Sequence, residues 1–246
     1  MPPEGVPALV DDFLAHCRRP DERRRILAFY GGSFTGIAPR LLEGYLSVTA
    51  RLLSEGRIHE AKASTRPDMV SPSILHDLGR NGFTELELGI QSMDDAVLAA
   101  SLRGHSRADA TRACALVKES GMRLGVQVMP GLPGEDAASF QKTVEEVAGL
   151  CPDTARIYPV VVLGTRLEGL FLQGEYRPLT LEEAVSRALY ASVVLEGHGC
   201  TILRMGLPAS PGLRVIAGPF HPAFGSLVTA RGYRIMAQRM TDVLGG

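Results

Sequence analysis

Hydrophobic residues along the chain alternate between two spacings, one typical of helices and one typical of buried strands. In the opening segment, 6–14, apolar residues recur three and four positions apart and predict a helix. The next apolar run, Ile26 to Tyr30, is continuous and ends at Gly31-Gly32. A short apolar run closed by glycines is typical of a buried strand followed by a tight loop. The chain is therefore predicted to open with a helix and then a strand.

This alternation continues to the end of the chain and predicts repeated β–α units. Helical spacing recurs over 41–53, 74–78, 108–120, 140–150 and 181–197. The predicted strands are 26–30, 58–64, 84–90, 122–129, 155–163 and 200–205. Repeated units of this kind imply parallel strands with right-handed crossovers. The predicted class is α/β, with a partial (β/α) barrel or a doubly wound sheet as its architecture.

Length and element order favour one main domain. The chain has 246 residues, of which 45% are hydrophobic, and α/β barrels of this length fold as a single unit. We expect a partial barrel over 1–205 and a C-terminal cap over 206–246, where a Pro/Gly-rich stretch precedes a final helical segment. Because a helix precedes the first strand, the barrel is expected to lack its first βα unit.

Charge and hydropathy narrow the classes of function. The net charge is −1, which gives no overall attraction to nucleic acid or to acidic membranes. No apolar run reaches the ~18 residues of a membrane-spanning helix, and the N-terminus does not resemble a signal peptide. The basic cluster over 18–25 is interpreted as a solvated loop. We expect a cytoplasmic protein with no membrane partner.

The four cysteines do not form a recognisable ligand set. Cys17, Cys114, Cys151 and Cys200 are far apart in the sequence, whereas zinc and iron–sulfur sites need closely spaced thiolates. We interpret them as buried or incidental thiols, which suits a reducing cytosol. No metal-ligating residue is predicted within this chain.

Polar residues and glycines follow the predicted strands one after another. In parallel α/β folds ligands bind at the carboxyl ends of the strands, so these positions are the candidate site. The residues found there are Gly31–Gly36, Ser64–Asp68, Gln91, Arg103, His105, Gln127, Gly131–Glu135, Arg156, Tyr158 and Thr165. No nucleophile elbow, Walker loop or HExxH motif is present. The set favours binding of a polar, zwitterionic or nucleoside-like cofactor over hydrolysis.

Some of these positions have simpler interpretations. Arg66 is also placed to pair with Asp68 and fix its own loop. The segment ending at Glu135 also fits the start of a helix with an acidic first turn. His105 alone is more often structural than catalytic. The sequence leaves these alternatives open.

Six segments, taken in order, resemble a known family. They are Phe29–Gly36, Ser64–Asp68, Glu87–Ser92, Arg103–His105, Gly131–Gly134 and Arg156–Pro159. Together they resemble the radical S-adenosylmethionine (SAM) superfamily, in the branch that includes the elongator catalytic subunit and stand-alone bacterial proteins. The segment 217–225 resembles the stand-alone proteins. The resemblance implies a partial barrel that binds SAM at its mouth.

The resemblance also implies roles for single residues. The implied SAM site consists of Gly31, Gly32, Ser33, Ser64, Gln91, Arg103, Gln127 and Gly131. Within it, the Gly32–Ser33 backbone would hold the methionyl amino group and Ser64 would contact the ribose. Arg103 would pair with the carboxylate. The segment beginning at Gly131 would lie beside the adenine.

This chain differs from the family in the residues that bind the 4Fe–4S cluster. In the family, three closely spaced cysteines hold the cluster, whose electron cleaves SAM to a 5′-deoxyadenosyl radical that abstracts hydrogen. This chain has no such triplet, and iron–sulfur clusters need thiolates. Either Met1 is an internal or mis-assigned start, and a longer enzyme holds the cluster and uses an electron donor, or the chain is a cluster-less module that binds SAM or a nucleoside.

Two further alternatives concern the substrate and the class of protein. The family branch makes RNA a candidate substrate, by analogy alone. Without the resemblance, Arg66, Arg103 and Arg156 would fit a barrel enzyme acting on a phosphorylated metabolite. A pure interaction protein has no repeat or heptad pattern in its favour.

Overall fold

A computed structural model describes residues 1–19, 22–164, 166–209 and 212–244. The strands are β1 Ile26–Phe29, β2 Glu60–Thr65, β3 Phe83–Gln91, β4 Arg123–Val128, β5 Thr154–Ile157, β6 Val162–Leu163, β7 Thr201–Met205 and β8 Val215–Ala217. One six-stranded sheet has the order β1-β2-β3-β4-β5-β7, and β6 pairs with β8 in a small second sheet. The α/β class and the partial-barrel architecture predicted from the sequence are confirmed.

Helices connect these strands. They are α1 Val6–His16, α2 Pro39–Ser54, α3 Pro72–Arg80, α4 Asp95–Ala100, α5 Arg107–Glu119, α6 Ala137–Gly149, α7 Arg166–Leu172, α8 Leu181–Gly197 and α9 Phe224–Leu244. The opening helix is present as predicted. Thr180 caps α8, and its side chain accepts from the Glu183 N–H in a reciprocal capping box. No helix within the described ranges is long and apolar enough to cross a membrane.

One predicted strand is wrong. The run 155–163 divides into β5, which pairs in parallel with β7, and β6, which pairs antiparallel with β8. Pro159 lies in the gap between β5 and β6. Proline has no N–H to donate to a strand ladder, so the run cannot continue as one buried strand.

The chain divides into two compact units. The first comprises Met1–Gly89 and Ala108–Gly125, and the second comprises Ile90–Arg107 and Val126–Gly246. The boundary expected between 205 and 206 stays a prediction.

Helix α1 forms part of the core of the first unit. Val6 and Val10 of α1 pack with Val48 and Leu52 of α2 and with Ile58. Beside them, four aromatic rings cluster, with centroids as close as 4.7 Å for the Phe29–Phe34 pair. The members of this aromatic cluster are Phe29, Phe34, Tyr45 and Phe83. The apolar face of α1 therefore has a partner within its own unit.

The second unit has a separate apolar cluster around its small sheet. Val160 and Val162 pack with Val97, Leu132 and Tyr176 there. Because Leu132 and Tyr176 belong to this cluster, apolar packing supports the loop that follows β4.

Removing a buried side chain from α2 tests this account of the first core. Leu52 is 0% exposed, so Leu52→Ala leaves a cavity and should lower the free energy of unfolding by about 2–5 kcal/mol. Leu41→Ala, on the same helix at 46% exposure, should change it by less than about 0.5 kcal/mol. Urea unfolding measures both values. Equal losses in the two variants would contradict the assigned core.

Candidate functional site

The glycine-rich loop after β1 leaves its backbone open. Gly31 has a φ of 105°, a conformation that favours glycine. A Cβ added at Gly31 or Gly32 would meet no atom within 4 Å. The two glycines and Ser33 line a cavity of about 420 Å³ together with apolar residues such as Leu27. A ligand could therefore reach the backbone of this loop.

Hydroxyl contacts join the loop after β1 to the loop after β2. The Thr35 and Thr65 hydroxyl oxygens lie 2.6 Å apart in a buried hydrogen bond. Thr35 also contacts the Met69 carbonyl oxygen at 2.7 Å. Ser64, the residue before Thr65, is buried at the same strand end. Both loops are thus fixed by contacts inside the first unit.

Arg66 is engaged by its own loop. Its guanidinium donates to both carboxylate oxygens of Asp68, with Nε 2.9 Å from Oδ1. The hydrogen bond to Asp68 raises the pKa of Arg66 above its ordinary value. The interpretation of Arg66 as the partner of Asp68 is confirmed.

A charged face of the sheet is a feature that sequence reasoning missed. Lys62 lies in register with Glu85, their charged groups are 3.7 Å apart, and Arg123 approaches Glu85 to 3.1 Å. Ser64 lies in register with Glu87, whose carboxylate accepts from the Tyr30 hydroxyl at 3.2 Å. Lys62 and Ser64, and likewise Glu85 and Glu87, are two residues apart. That spacing was the available signal, because alternate residues share one face of a strand.

At the end of β3, in the second unit, Gln91 adopts an unusual backbone conformation. Its φ is 66°, in the left-handed region that non-glycine residues seldom adopt. Its amide nitrogen donates to the Gln127 side-chain oxygen at 3.5 Å. Its Oε1 is buried and has no hydrogen-bond partner among the described residues. The structure therefore brings two predicted site residues together and leaves a buried acceptor beside them.

Arg103 contrasts with Arg66. Its side chain is half-buried, and its terminal nitrogen donates to the Met129 sulfur. Its Nε is buried without a partner, and within the described ranges no carboxylate pairs with the guanidinium. Burial lowers the pKa of Arg103 below its ordinary value. This guanidinium lacks the anion that would balance its charge.

The loop after β4 is held at one residue, Gly131. The Gly131 N–H donates to Glu135 Oε1 at 2.6 Å, and the Gly131 carbonyl accepts from the Tyr176 hydroxyl at 2.6 Å. Gly131 has a φ of 93°, and an added Cβ would lie 2.9 Å from Leu179. Arg187 donates to the same Glu135 oxygen at 2.6 Å. Only glycine fits this position without moving its neighbours.

Glu135 does not start a helix. Asp136 is the N-cap of α6, so Glu135 lies outside the first turn in which the alternative interpretation placed it. Its side chain is 0% exposed, and its Oε2 has no hydrogen-bond partner in the described part of the chain. Burial raises the pKa of Glu135 to about 7, against the opposing effects of the Gly131 N–H and Arg187.

The remaining candidates lie as follows. Arg156 donates to the Tyr158 hydroxyl at 3.2 Å, and Thr165 lies outside the described residues. The first unit holds Gly31, Gly32, Ser33 and Ser64, and the second holds Gln91, Arg103, Gln127 and Gly131.

The cysteines are free thiols. Cys114 and Cys200 are buried, and burial raises the pKa of each to about 12. Cys17 is half-buried and Cys151 is exposed, so the description as buried thiols holds only for Cys114 and Cys200. Within the described residues, no group of three His, Cys, Asp or Glu side chains could hold a metal ion.

Comparison with known families decides the assignment. The radical SAM superfamily model matches residues 5–147, and the radical SAM C-terminal domain model matches residues 152–234. The chain belongs to the radical SAM superfamily. This confirms the resemblance drawn from the sequence.

Curated relatives belong to the elongator branch. The tRNA uridine(34) acetyltransferase of Methanocaldococcus infernus is 33% identical over 153 residues, which cover 59% of this chain and 29% of that protein. Elongator complex protein 3 of Homo sapiens is 35% identical over 133 residues, which cover 51% of this chain and 24% of that protein. The chain therefore spans less than a third of these relatives.

Solved structures support the fold. Methanocaldococcus infernus Elp3 with an N-terminal deletion has a TM-score of 0.69 and 24% identity, covering 87% of this chain and 54% of that chain. Coproporphyrinogen III oxidase (HemN) from Escherichia coli has a TM-score of 0.55 and 19% identity, and the match covers 80% of this chain and 46% of that chain. At these identities the likeness establishes the radical SAM fold.

Membership in this superfamily implies SAM and a 4Fe–4S cluster as cofactors. The buried acceptor on Gln91 and the unbalanced guanidinium of Arg103, both in the second unit, fit a zwitterionic ligand such as SAM. The described residues do not fit the cluster, because they include no three-cysteine set.

The buried carboxyl of Glu135 gives a prediction on pH. Its pKa is raised in the folded protein, so its protonated form stabilises the fold, fully below about pH 4.5. That contribution is lost as the pH rises through about 7. Between pH 5 and pH 8 the free energy of unfolding of the wild type should therefore fall, relative to Glu135→Gln, by roughly 1–3 kcal/mol.

Urea unfolding across a pH series measures this difference. Glu119→Gln, which changes an exposed carboxylate on α5, is the matched control and should follow the wild-type profile. If the wild-type and Glu135→Gln profiles were parallel, Glu135 would not be the titrating group.

Proposed function

We propose that this chain binds S-adenosylmethionine and that Arg103 receives its methionyl carboxylate. The observation that carries this proposal is the incomplete pairing of the Arg103 guanidinium. Its guanidinium is half-buried, its Nε is buried without a partner, and no described carboxylate balances its charge. A partly buried charge without a partner is destabilising, whereas a carboxylate can accept two parallel hydrogen bonds from a guanidinium. A ligand carboxylate would remove this deficit.

Gln91 adds a second contact in the same unit. Its Oε1 can accept from a ligand hydroxyl or amino group, and its amide nitrogen is oriented by Gln127. The Gly131 loop, clamped by Glu135 and Tyr176, lies beside the adenine.

Arg103 and Gln91 supply binding and orientation rather than the electron. The superfamily's cluster supplies the electron for reductive SAM cleavage, and this chain's described residues include no three-cysteine set for it. Hydrogen abstraction from a substrate therefore belongs to a form of the protein in which cluster ligands are supplied. Without them, the same residues make a SAM-binding or nucleoside-binding regulatory module.

The relatives named tRNA uridine(34) acetyltransferase support RNA as the substrate class. The net charge of −1 does not favour non-specific RNA binding, so an RNA would need a local basic surface.

A barrel enzyme for phosphorylated metabolites is the weaker alternative. It needs Arg66, Arg103 and Arg156 as anion contacts. Arg66 is held by Asp68, and Arg156 donates to the Tyr158 hydroxyl. Of the three arginines, Arg103 alone retains a buried guanidinium nitrogen without a partner among the described residues.

Calorimetric titration with SAM tests the proposal. Arg103→Ala should weaken binding by about 10-fold to 100-fold, the usual effect of losing a charged, two-point hydrogen bond. Arg103→Lys keeps the positive charge but loses the planar group that can donate two parallel hydrogen bonds. Its SAM affinity should therefore lie between those of the wild type and Arg103→Ala. Arg40→Ala, an exposed arginine of α2, is the control and should bind as the wild type does.

Two outcomes would overturn the assignment. A wild-type chain that binds no SAM at millimolar concentration lacks the proposed activity. A folded Arg103→Ala variant with wild-type affinity removes Arg103 from the site. Competition by inorganic phosphate would favour the phosphorylated-metabolite alternative instead.

A further inference from the structure

The turn that ends β3 is strained. The Ser92 N–H donates to the Ile90 carbonyl across Gln91 at 2.8 Å, and Gln91 has a φ of 66°. These are the features of a γ-turn with a positive φ at its centre, which is rare for any residue other than glycine. Such a conformation costs about 1–3 kcal/mol and persists only where neighbouring groups hold it.

Two contacts hold this turn from outside. His105 Nε2 lies 3.0 Å from the Ile90 carbonyl oxygen, which accepts from Ser92 as well. The Met129 N–H donates to the Gln91 carbonyl at 3.1 Å. Because a carbonyl can only accept, the His105 hydrogen must lie on Nε2. Both peptide groups that flank the Gln91 Cα are therefore pinned.

His105 lies two residues after Arg103 in the segment that follows α4. The residues on either side of Arg103 have positive φ, 52° at Leu102 and 75° at Gly104. The Leu102 N–H donates to the Ala99 carbonyl at 3.1 Å and the Arg103 N–H donates to the Leu98 carbonyl at 3.0 Å, so the end of α4 holds both residues. The bond from His105 to Ile90 ties this segment to the turn at Gln91. Arg103 therefore has a backbone contact of its own, and the His105 bond acts on the turn at Gln91.

Packing alone does not explain a histidine at this position. His105 is buried, and its Nδ1 has no hydrogen-bond partner in the described part of the chain. A buried polar atom without a partner destabilises a fold, so an apolar side chain would be expected if the position served only the core. What the ring supplies is the donor at Nε2.

We infer that His105 is a positioning residue for SAM binding: its Nε2–H bond to the Ile90 carbonyl holds the strained turn that presents the Gln91 amide. The inference rests on the proposed SAM binding. His105 itself touches no reacting atom and acts through Gln91.

Nitrogen-15 NMR of the imidazole side chains tests the hydrogen bond without SAM. The wild-type spectrum should contain one buried ring with its hydrogen on Nε2, and this signal should vanish in His105→Gln. A His105 ring protonated on Nδ1 alone would leave the Ile90 carbonyl without this donor and would overturn the inference.

Calorimetry with SAM tests the consequence for binding. His105→Phe should weaken affinity about 10-fold, whereas His105→Gln, whose amide nitrogen reaches the same position, should stay within about threefold. His105→Asn places its donor too far back to reach Ile90 and should resemble His105→Phe. If His105→Phe does not fold, comparing the SAM affinities of His105→Gln and His105→Asn still tests the inference. His76→Phe, at an exposed histidine of α3, is the control.

A double-mutant cycle separates positioning from general stability. In a Gln91→Ala background, His105→Phe should reduce affinity less than threefold, because the side chain it positions is gone. An equal reduction in both backgrounds would mean a purely structural role and would overturn the inference.

The two proposals fail in different ways. If the wild type binds no SAM, the proposed function fails and this inference fails with it. If Arg103→Ala loses SAM while His105→Phe binds as the wild type does, only the role of His105 fails.

Discussion

The structure depends on one constraint: each loop that follows a parallel strand must be fixed by buried polar contacts. A strand end leaves backbone groups that the ladder no longer pairs, and buried groups of this kind need partners. Here the Thr35–Thr65 bond fixes one such loop and the His105–Ile90 bond fixes another. The clamp of Glu135 on Gly131 fixes a third. Each of these loops is therefore held by buried contacts within its own unit.

Two arginines of this chain differ in how fully their guanidinium groups are paired. Arg66 lies directly after β2, whereas Arg103 lies between α4 and α5. Arg66 donates to both oxygens of Asp68, so its charge is balanced inside the fold. The Arg103 guanidinium contacts only a thioether sulfur among the described residues, and its Nε has no partner. Residue identity alone does not predict which arginine is paired inside the fold, because the difference lies in what surrounds each guanidinium.

Much of the fold could be predicted from the sequence because its signals are local. The helix at 6–16 and the cap at Thr180 each follow from residues within a few positions of one another. The division of 155–163 was also available, since Pro159 stands inside the run. The short helices α4 and α7 were not, because six or seven residues are too few for a helical period to stand out.

Some features of the candidate site likewise have a local signal in the sequence, and others depend on residues that are distant in sequence. The glycine at 131 was visible as a special position, but its clamp depends on Tyr176 and Arg187, which are distant in sequence. The positive φ of Gln91 had no local signal, because glutamine has no preference for that region. The contacts that flank it, from His105 to the Ile90 carbonyl and from the Met129 N–H to the Gln91 carbonyl, are tertiary. The roles of the site residues toward SAM stay predictions, whereas their environments are now described.

Most of the buried side-chain atoms without a hydrogen-bond partner in the described structure lie between residues 91 and 135. Five side chains between residues 91 and 135 each keep one buried polar atom without a partner in the described structure: Gln91, Ser101, Arg103, His105 and Glu135. Each such atom lowers stability by about 1–3 kcal/mol, which is a large part of a typical folding free energy. In a sequence selected for stability alone, these buried polar atoms would be expected to be absent or to have hydrogen-bond partners. Their concentration in the loops around Arg103, beside a strained turn, is what a site assembled for a polar ligand requires, since a ligand can supply the missing partners only where the protein has left them open.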